Sequence, residues 1–448
     1  MKNNNQVKIS KIKLSNYKFF YGSFELPVNG KNLLVYGENG SGKSAIYKAL
    51  ELLTKDNFTD LDKNLNIFVD NKNVEIEFEL TNKPSLVITS DVKQKPKGYE
   101  FLNGLSIFSP LLDYKKLLKV HYSSNINGNN VNLYSMFRQL LKSYPINENQ
   151  KLGDIAKNLT RYLDELKSVL ENDLMNEVNN FLKKYFNSDV RITSFETTIE
   201  LEEDSQKGIP CVFMNVDYKE NEIEKYHTFL NEARLSALAI SIYFVAIKKL
   251  LGTLQEESLK MLVIDDLLIS LDMNNRIKLF EILKNEFNDF QIFFFTHEKE
   301  LFELYKNKMD WEKYELYLDD NADIPNVILK KGQSEIERAK VYYAKKEYDI
   351  CALLLRKSFE NILKEYLTNK EQRDKNCNVL NLAGLVGKAI SKSTDHNKDI
   401  LTKLNFDRKH LLNPLSHDDE RAIYSEELKS ALLDLEKLKS LLPSKNNS

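Results

Sequence analysis

The sequence contains few cysteines and no cluster of them. Its three cysteines, Cys211, Cys351 and Cys377, lie far apart, and neither a C-x-x-C pair nor a Cys/His group occurs. Neither a disulfide framework nor a zinc site is therefore expected.

A long apolar run is also missing, although a membrane-spanning helix needs about 18 such residues. The longest candidate, residues 238–251, is interrupted by Lys248 and Lys249. The first residues are polar and show no apolar core of a secretory signal. These features predict a soluble, cytoplasmic protein with no membrane partner.

Neither sign of charge is in excess, because 64 Lys and Arg balance 66 Asp and Glu to a net charge of −2. Nucleic-acid binding would therefore need a local basic patch. Lys8, Lys11, Lys13 and Lys18 near the first predicted strand offer one such patch. The length of 448 residues predicts two or three domains.

The most informative segment present is GENGSGKS, which matches the P-loop pattern G-x-x-x-x-G-K-[ST]. An apolar strand precedes it and a helical pattern follows, as the motif requires. Backbone amides of such a loop cradle phosphates, Lys43 reaches the β- and γ-phosphates, and the Ser44 hydroxyl holds Mg²⁺. ATP and Mg²⁺ are the predicted cofactors. The predicted nucleotide-binding residues are Gly37, Glu38, Asn39, Gly40, Ser41, Gly42, Lys43 and Ser44.

Two later strands are predicted to end in functional side chains. MLVIDD at 261–266 is an apolar strand followed by acids, and strand ends in α/β sheets are where ligands bind. Asp265 is predicted to hold Mg²⁺, and Asp266 to orient or deprotonate the attacking water. The apolar strand FFFTH at 293–297 ends in His297, which is predicted to sense the γ-phosphate.

The chain changes character near residue 335. Before it, strands and helices alternate, with a helical insertion predicted at about 133–187, whereas after it the pattern is helical to the end. These patterns predict an α/β domain over 1–335, with a mixed sheet, and an all-α bundle over 336–448.

The sequence resembles ABC-type ATPases in the order of its motifs. The P-loop comes first, and the late acidic strand, the Ser270-Leu271-Asp272 turn and the strand-final His297 follow. The amino-acid sequence of the P-loop and the Asp265-Asp266 pair are similar to those of the SMC/RecF branch. That branch includes the overcoming-lysogenization-defect (OLD) nucleases and the PrrC-type anticodon nucleases. The resemblance covers roughly residues 7 to 330 and implies the ABC-type fold and ATP hydrolysis.

The resemblance also implies a signature loop that contacts the ATP of a partner protomer. The segment FLNEARLSALA at 229–239 occupies the expected place, with Asn231 where serine is usual and Ala233 where glycine is usual. Asn231, Glu232 and Asp272 would thus complete a site formed by the other protomer, so a homodimer or a higher even oligomer is expected. The glutamine of the Q-loop has no assigned position, and 105–114 is where it is expected.

The C-terminal segment resembles a HEPN domain, whose catalytic members combine arginine, often followed by asparagine, with histidine. Asn413 and His417 match this pattern, but Leu412 occupies the arginine position. Arg408, four residues earlier on the same helical face, is the substitute. RNA cleavage by His417 with Arg408 steadying the phosphate is one interpretation, and a structural bundle for dimerisation or partner binding is the other.

Three functions remain open at this stage. The first is an ATP-dependent dimer that serves as a sensor or switch in a microbial anti-phage defence system, acting on or near DNA or RNA and controlling a helical effector or partner protein. The second is an ATP-gated ribonuclease like PrrC. The third is a DNA-repair ATPase like RecF.

Overall fold

The computed structural model describes residues 6–58, 61–70, 73–108, 110–121, 131–201, 208–252, 258–267, 273–306, 309–319, 321, 323–413 and 425–442, without the side chains of 273, 274, 395 and 396. The strands are β1 Ile9–Tyr17, β2 Phe20–Pro27, β3 Leu33–Gly37, β4 Glu75–Leu80, β5 Lys83–Thr89, β6 Leu111–Asp113, β7 Pro145–Asn147, β8 Gln150–Lys151, β9 Val190–Leu201, β10 Gly208–Tyr218, β11 Asn221–Ile223, β12 Met261–Asp265, β13 Gln291–Thr296, β14 Glu312–Asp319 and β15 Asn326–Lys331.

The helices are α1 Lys43–Leu52, α2 Gly104–Phe108, α3 Tyr114–His121, α4 Tyr134–Leu140, α5 Leu159–Ser168, α6 Met175–Phe181, α7 Tyr226–Phe229, α8 Glu232–Leu251, α9 Met273–Glu286, α10 Lys299–Lys306, α11 Glu335–Ala344, α12 Tyr348–Tyr366, α13 Leu382–Lys392, α14 Asp395–Asp407 and α15 Ser425–Leu441. Short 3₁₀ turns span Leu61–Asn64, Glu100–Leu102 and Leu152–Ile155, and π-helical turns span Val169–Leu174, Leu182–Phe186 and Arg408–Leu412.

A six-stranded mixed sheet with the order β15-β14-β3-β13-β12-β6 positions the P-loop. All neighbouring pairs in it are parallel except β14 with β15. Every residue of β3 and β13 is buried, as expected for parallel strands covered on both faces. The carboxyl ends of β3, β13, β12 and β6 therefore meet at one edge.

A second, antiparallel sheet has the order β2-β1-β4-β5. In β4 the apolar residues Ile76, Phe78 and Leu80 are buried and alternate with glutamates, as the period-2 pattern predicts. A long hairpin of β9 and β10 follows the helical insertion, and β11 extends it.

Helix α8 is buried on most sides, because every residue from 235 to 247 is buried. Its beginning is polar and exposed, and Asn231 caps it by accepting a hydrogen bond from the backbone of Arg234 at 3.0 Å. The helix thus anchors an exposed N-terminal turn to the core.

The chain divides into two compact units, Met1–Lys331 and Gly332–Ser448. The second unit is helical and has its own apolar core. The sequence pattern over 342–367 predicts one helix, but the structure has α11 ending at Ala344 and α12 beginning at Tyr348. Lys346 has a left-handed backbone with φ 64°, which stops α11 without a glycine or proline to signal the break. The expected fold class, a P-loop ATPase with a mixed sheet followed by C-terminal helices, is confirmed.

Candidate nucleotide site

The P-loop connects the end of β3 to the beginning of α1, and two glycines make its path feasible. Gly42 precedes the helix with φ 96°, and a Cβ there would meet Phe20 Cζ at 3.0 Å. A Cβ on Gly37 would lie 2.3 Å from Ser41 Oγ. Side chains at these positions would therefore distort the loop.

The polar groups of the loop are arranged for an anionic ligand. Lys43 Nζ donates to the backbone oxygens of Gly37 at 2.6 Å and Glu38 at 3.1 Å. The Ser41 side chain is buried, and its Oγ has no hydrogen-bond partner among the described residues. An orphaned hydroxyl beside a glycine-lined loop and the start of a helix fits a bound phosphate. Ser44, in the first turn of α1, is exposed and available to a cation.

Asp265 ends β12 at the same edge as the P-loop. Its Oδ1 atom is buried without a hydrogen-bond partner in the described chain. Burial raises the pKa of Asp265 to about 7, the charge of Asp266 adds to the shift, and Lys43 opposes it. Conversely, burial lowers the pKa of Lys43, and both carboxylates counteract that change. A divalent cation at Asp265 would satisfy the orphaned oxygen and favour the ionised carboxylate.

Asp266 and His297 form a hydrogen-bonded pair. Asp266 adopts a left-handed backbone with φ 48°, and its amide donates to Phe295 O at 3.1 Å. Its Oδ1 accepts from the His297 amide at 2.9 Å and lies 2.8 Å from His297 Nδ1. A carboxylate that orients an imidazole in this way can direct the other ring nitrogen toward a ligand. The structure therefore brings the predicted residues Lys43, Asp265, Asp266 and His297 together.

Asp113 also lies at this edge of the sheet, and the sequence analysis assigns it no role. It ends β6 in register with Asp265, inside the 105–114 segment where the Q-loop glutamine is expected. Its Oδ2 accepts from the Tyr47 hydroxyl at 3.2 Å, and its charge adds to the raised pKa of Asp265. The available signal was the apolar pair Leu111-Leu112 followed by an acid, a short form of the pattern that identified Asp265.

The predicted signature residues lie elsewhere. Glu232 accepts a hydrogen bond from the Tyr114 hydroxyl at 3.3 Å, and both Asn231 and Glu232 are exposed. In the part of the chain that the structure describes, no recorded hydrogen bond or ion pair connects them to the P-loop. Asp272, together with the turn that contains it, lies outside the described residues.

The structure describes two of the three candidate ribonuclease residues in the C-terminal unit. Arg408 is only 8% exposed, and its Nε donates to Asn405 Oδ1 at 3.0 Å. Burial lowers the pKa of Arg408, and the nearby charge of Arg356 on α12 lowers it further. The Asn413 amide donates to Arg408 O at 2.9 Å. His417 lies outside the described residues.

The lysines of β1 do not form a free basic patch. Lys11 pairs with Glu79 at 3.2 Å and Glu25 at 3.4 Å, and Lys13 pairs with Glu77 at 3.1 Å and Glu79 at 3.2 Å. These cross-strand pairs balance the charge of the strand. Over the described ranges, no helix is long and apolar enough to span a membrane.

One known family resembles part of the first unit. Residues 11–232 match the family model described as an AAA domain. The matched region includes the P-loop and strands of the six-stranded mixed sheet. No curated protein matches the chain.

Three solved SMC head domains show weak similarity to this chain. An SmcHead bound to the C-winged helix domain of ScpA is 14% identical, with a TM-score of 0.44, covering 74% of this chain and 99% of that one. The Thermotoga maritima SMC head is 13% identical, with a TM-score of 0.39 and coverage of 72% and 99%. A Pyrococcus furiosus Smc head with an extended coiled coil, bound to the C-terminal domain of ScpA, is 14% identical, with a TM-score of 0.42 and coverage of 76% and 100%.

Proposed function

We propose that this protein binds ATP with Mg²⁺ and hydrolyses it between two copies of the chain, and that this association is the switch of a microbial anti-phage defence system. The observation that carries the proposal is that the predicted site residues lie in two separate groups. Lys43, Asp265, Asp266 and His297 converge at one sheet edge, whereas Asn231 and Glu232 are exposed on the first turn of α8. A site that needs both groups is complete only when a second copy of the chain supplies Asn231 and Glu232.

In this site each residue has a distinct task. P-loop amides and Lys43 bind the phosphates, which replace the carbonyl oxygens that Lys43 now contacts. Ser44 and Asp265 would hold Mg²⁺, which would supply positive charge to the phosphate oxygens. Asp266 orients or deprotonates the attacking water, and His297, oriented by Asp266, donates to the γ-phosphate.

Sedimentation of a slow-hydrolysing variant tests the two-copy site. Asp266→Asn is expected to bind ATP and accumulate as a dimer or a higher even oligomer when ATP and Mg²⁺ are present. The Lys43→Ala variant, which lacks the phosphate-binding ammonium, should sediment with ATP as it does without ATP. Identical sedimentation of Asp266→Asn with and without ATP would count against ATP-driven association.

The defence role is supported by the resemblance to the OLD and PrrC branch and by the separate helical unit that follows the ATPase unit. In this proposal the helical unit, or a partner protein that it binds, is the effector. Cells producing the wild-type protein should resist some phages, and cells producing Lys43→Ala should not. Equal plaque counts for both across a broad phage panel would argue against this role.

RNA cleavage by the helical unit is a second candidate, favoured by the position of Arg408. Two observations support it: the charge of Arg356 contributes to the lowered pKa of Arg408, and the backbone amide of Asn413 donates to the Arg408 carbonyl. Two neighbouring guanidinium groups are suited to an RNA phosphate, and His417 would act as general acid and base. Cellular RNA should then be fragmented after triggering in the wild type but not in His417→Ala. Intact RNA in both would eliminate this candidate.

A further inference from the structure

A surface pocket of about 370 Å³ lies in the helical insertion of the first unit. Helices α4 and α5 and the 3₁₀ turn between them form its walls. Six polar or aromatic side chains line it: Tyr134, Ser135, Arg138, Gln139, Lys142 and Tyr162. Its volume falls within the range of about 300–1,000 Å³ that is usual for small-molecule sites. None of the described residues that line it belongs to the P-loop or to the sheet edge with Asp265, so the pocket is separate from the ATP site.

The hydroxyl of Tyr162 is a buried polar group in the wall of this pocket. Tyr162 is 0% exposed, and its hydroxyl has no hydrogen-bond partner among the described residues. Burial raises the pKa of this hydroxyl, Tyr134 adds to the shift, and the charge of Arg138 opposes it. Since Tyr134 and Arg138 both line the pocket, the hydroxyl lies on the pocket side of the ring. A buried hydroxyl without a partner is unfavourable, and a ligand atom that accepts its hydrogen bond would remove that cost.

The charges around the pocket are suited to an anion. Arg138 and Lys142 are exposed, and neither has a recorded ion pair with a carboxylate in the part of the chain that the structure describes. Lys119 Nζ donates to Gln139 Oε1 at 3.2 Å and adds a third positive charge beside the pocket. No acidic side chain occurs among the described lining residues. Cations that are not neutralised by nearby carboxylates attract negatively charged ligands.

Contacts on both sides hold the walls of the pocket in place. The Gly153 amide donates to Lys142 O at 2.8 Å, and a Cβ on Gly153 would lie 2.7 Å from that oxygen. The rings of Tyr134 and Tyr162 meet edge to face with their centres 5.9 Å apart. The Arg138 guanidinium lies 5.9 Å from the centre of the Tyr134 ring. The pocket therefore combines an aromatic surface, two cations and a buried hydroxyl.

We propose that this pocket binds a nucleoside 5′-phosphate, at a site separate from the P-loop. Arg138 and Lys142 contact the phosphate, because a guanidinium matches two phosphate oxygens and an ammonium adds a second positive charge. The Tyr162 hydroxyl donates to the same anion, and the Tyr134 ring provides a surface for a planar base. Inorganic phosphate alone would leave most of the 370 Å³ unfilled, which favours an organic phosphate. This inference does not depend on ATP hydrolysis or on association of two copies.

Isothermal titration calorimetry of full-length Lys43→Ala protein tests the site, because its P-loop lacks the phosphate-binding ammonium. The probes are AMP, GMP, CMP and UMP. Adenosine, which has no phosphate, and inorganic phosphate, which has no base, are the reference ligands. At least one mononucleotide should bind with an affinity roughly tenfold or more above both reference ligands, the gain expected from hydrogen bonds to a charged group. Failure of all four mononucleotides to bind at millimolar concentration would overturn the inference.

A pair of arginine variants in the same background identifies where the mononucleotide binds. Arg138→Ala should weaken its binding by roughly 10- to 100-fold, the usual loss for a hydrogen bond to a charged group. Arg161→Ala on α5 is the matched control, because its guanidinium bonds to Gln150 and is not part of the pocket lining. Arg161→Ala should therefore keep the original affinity. Equal affinities of the Arg138→Ala and Arg161→Ala proteins would place the ligand elsewhere and overturn the inference.

Tyr162→Phe separates ligand binding from folding. It keeps the ring and removes a hydroxyl that has no partner among the described residues, so the Tm without ligand should be unchanged or higher. Affinity for the mononucleotide should fall by roughly tenfold, and the rise in Tm that the ligand causes should shrink accordingly. Unchanged affinity in Tyr162→Phe would contradict the inference, whatever the Tm of the variant.

Two short RNAs of the same sequence distinguish the two sources of a nucleoside 5′-phosphate, a free mononucleotide and the end of a strand. One RNA carries a 5′-phosphate and the other a 5′-hydroxyl. Displacement of the bound mononucleotide by the 5′-phosphate RNA alone assigns the pocket to strand ends, and displacement by neither RNA assigns it to free mononucleotides. Equal displacement by both RNAs would show that the pocket does not recognise the phosphate, and the inference would fail.

Discussion

At the scale of single residues, three carboxylates lie at the edge of the sheet where the P-loop begins: Asp113, Asp265 and Asp266. Burial raises the pKa of Asp265, and the charges of Asp266 and Asp113 add to the shift. A surplus of buried negative charge is unfavourable in the empty protein. Binding of a divalent cation would relieve it, which is consistent with a site that uses metal together with the triphosphate.

A substitution of His297 tests the role of the Asp266–His297 pair. His297→Ala should reduce kcat by roughly 10²-fold, because the γ-phosphate loses one oriented donor. ATP affinity should change little, since the P-loop contacts remain. Parallel measurement of kcat and ATP affinity checks this, with His297→Gln as the variant that keeps a donor and part of the rate. Unchanged kcat in His297→Ala would exclude a catalytic role.

Asp407 provides a pH-dependent stability prediction away from the ATP site. Burial raises its pKa from 3.8 to about 6, Asp434 and Glu427 reinforce the shift, and Lys403 opposes it. Because the folded pKa exceeds the unfolded value, stability is full below about pH 4 and falls as the pH rises through 6. Asp407→Asn removes this penalty.

Thermal unfolding of the full chain checks the prediction for Asp407. Asp407→Asn should raise the Tm of the helical unit more at pH 8 than at pH 4.5. Asp399→Asn, an exposed change on the same helix, should show no such pH-dependent gain. A gain that is equal at both pH values would contradict the assigned cause.

At the scale of secondary-structure elements, the break between α11 and α12 is a testable feature. Lys346 is exposed and has φ 64°, whereas the adjacent exposed Lys345 has φ −75°. The left-handed conformation costs a non-glycine residue about 1–2 kcal/mol. Lys346→Gly should therefore stabilise the helical unit by about 1 kcal/mol, less if the lysine's contact with the Tyr343 ring contributes.

Lys345→Gly is the matched control, because the same change at a helical φ removes no strain and adds backbone freedom in the unfolded chain. It should destabilise the unit by about 0.5–1 kcal/mol. Hydrogen exchange of α11 and α12 in the intact protein measures both effects locally. The assigned strain is wrong if the two variants shift exchange protection in the same direction.

At the scale of the whole molecule, activity should depend on protein concentration. A site completed by a second copy loses its rate when protomers separate, so ATPase activity per protomer should fall on dilution below the dissociation constant of the dimer. Assays over a wide dilution series, with carrier protein to prevent surface loss, measure this. Constant activity per protomer, while sedimentation shows dissociation over the same range, would contradict a shared site.

The sequence predicts an arrangement of residues best where that arrangement depends on local chain geometry. The P-loop needs glycines, a lysine and a helix start within eight residues, and the acidic strand needs only apolar residues followed by aspartates. Asp113, to which the sequence analysis assigns no role, shows only a short form of this pattern. It ends a strand of three residues, in which two apolar residues precede the acid.

The sequence by itself thus determined the P-loop between its strand and helix, the edge where Lys43 and Asp265 meet, and the helical character of the C-terminal unit. Only the tertiary structure decided which distant side chains act together. Strand order placed Asp113 beside Asp265, the approach of α4 and α5 placed Tyr134 against Tyr162, and helix packing placed the charge of Arg356 near Arg408. The periodicity of a segment predicts which face of an element is buried. It does not predict which other element packs against that face, and so the sequence could not identify these partners.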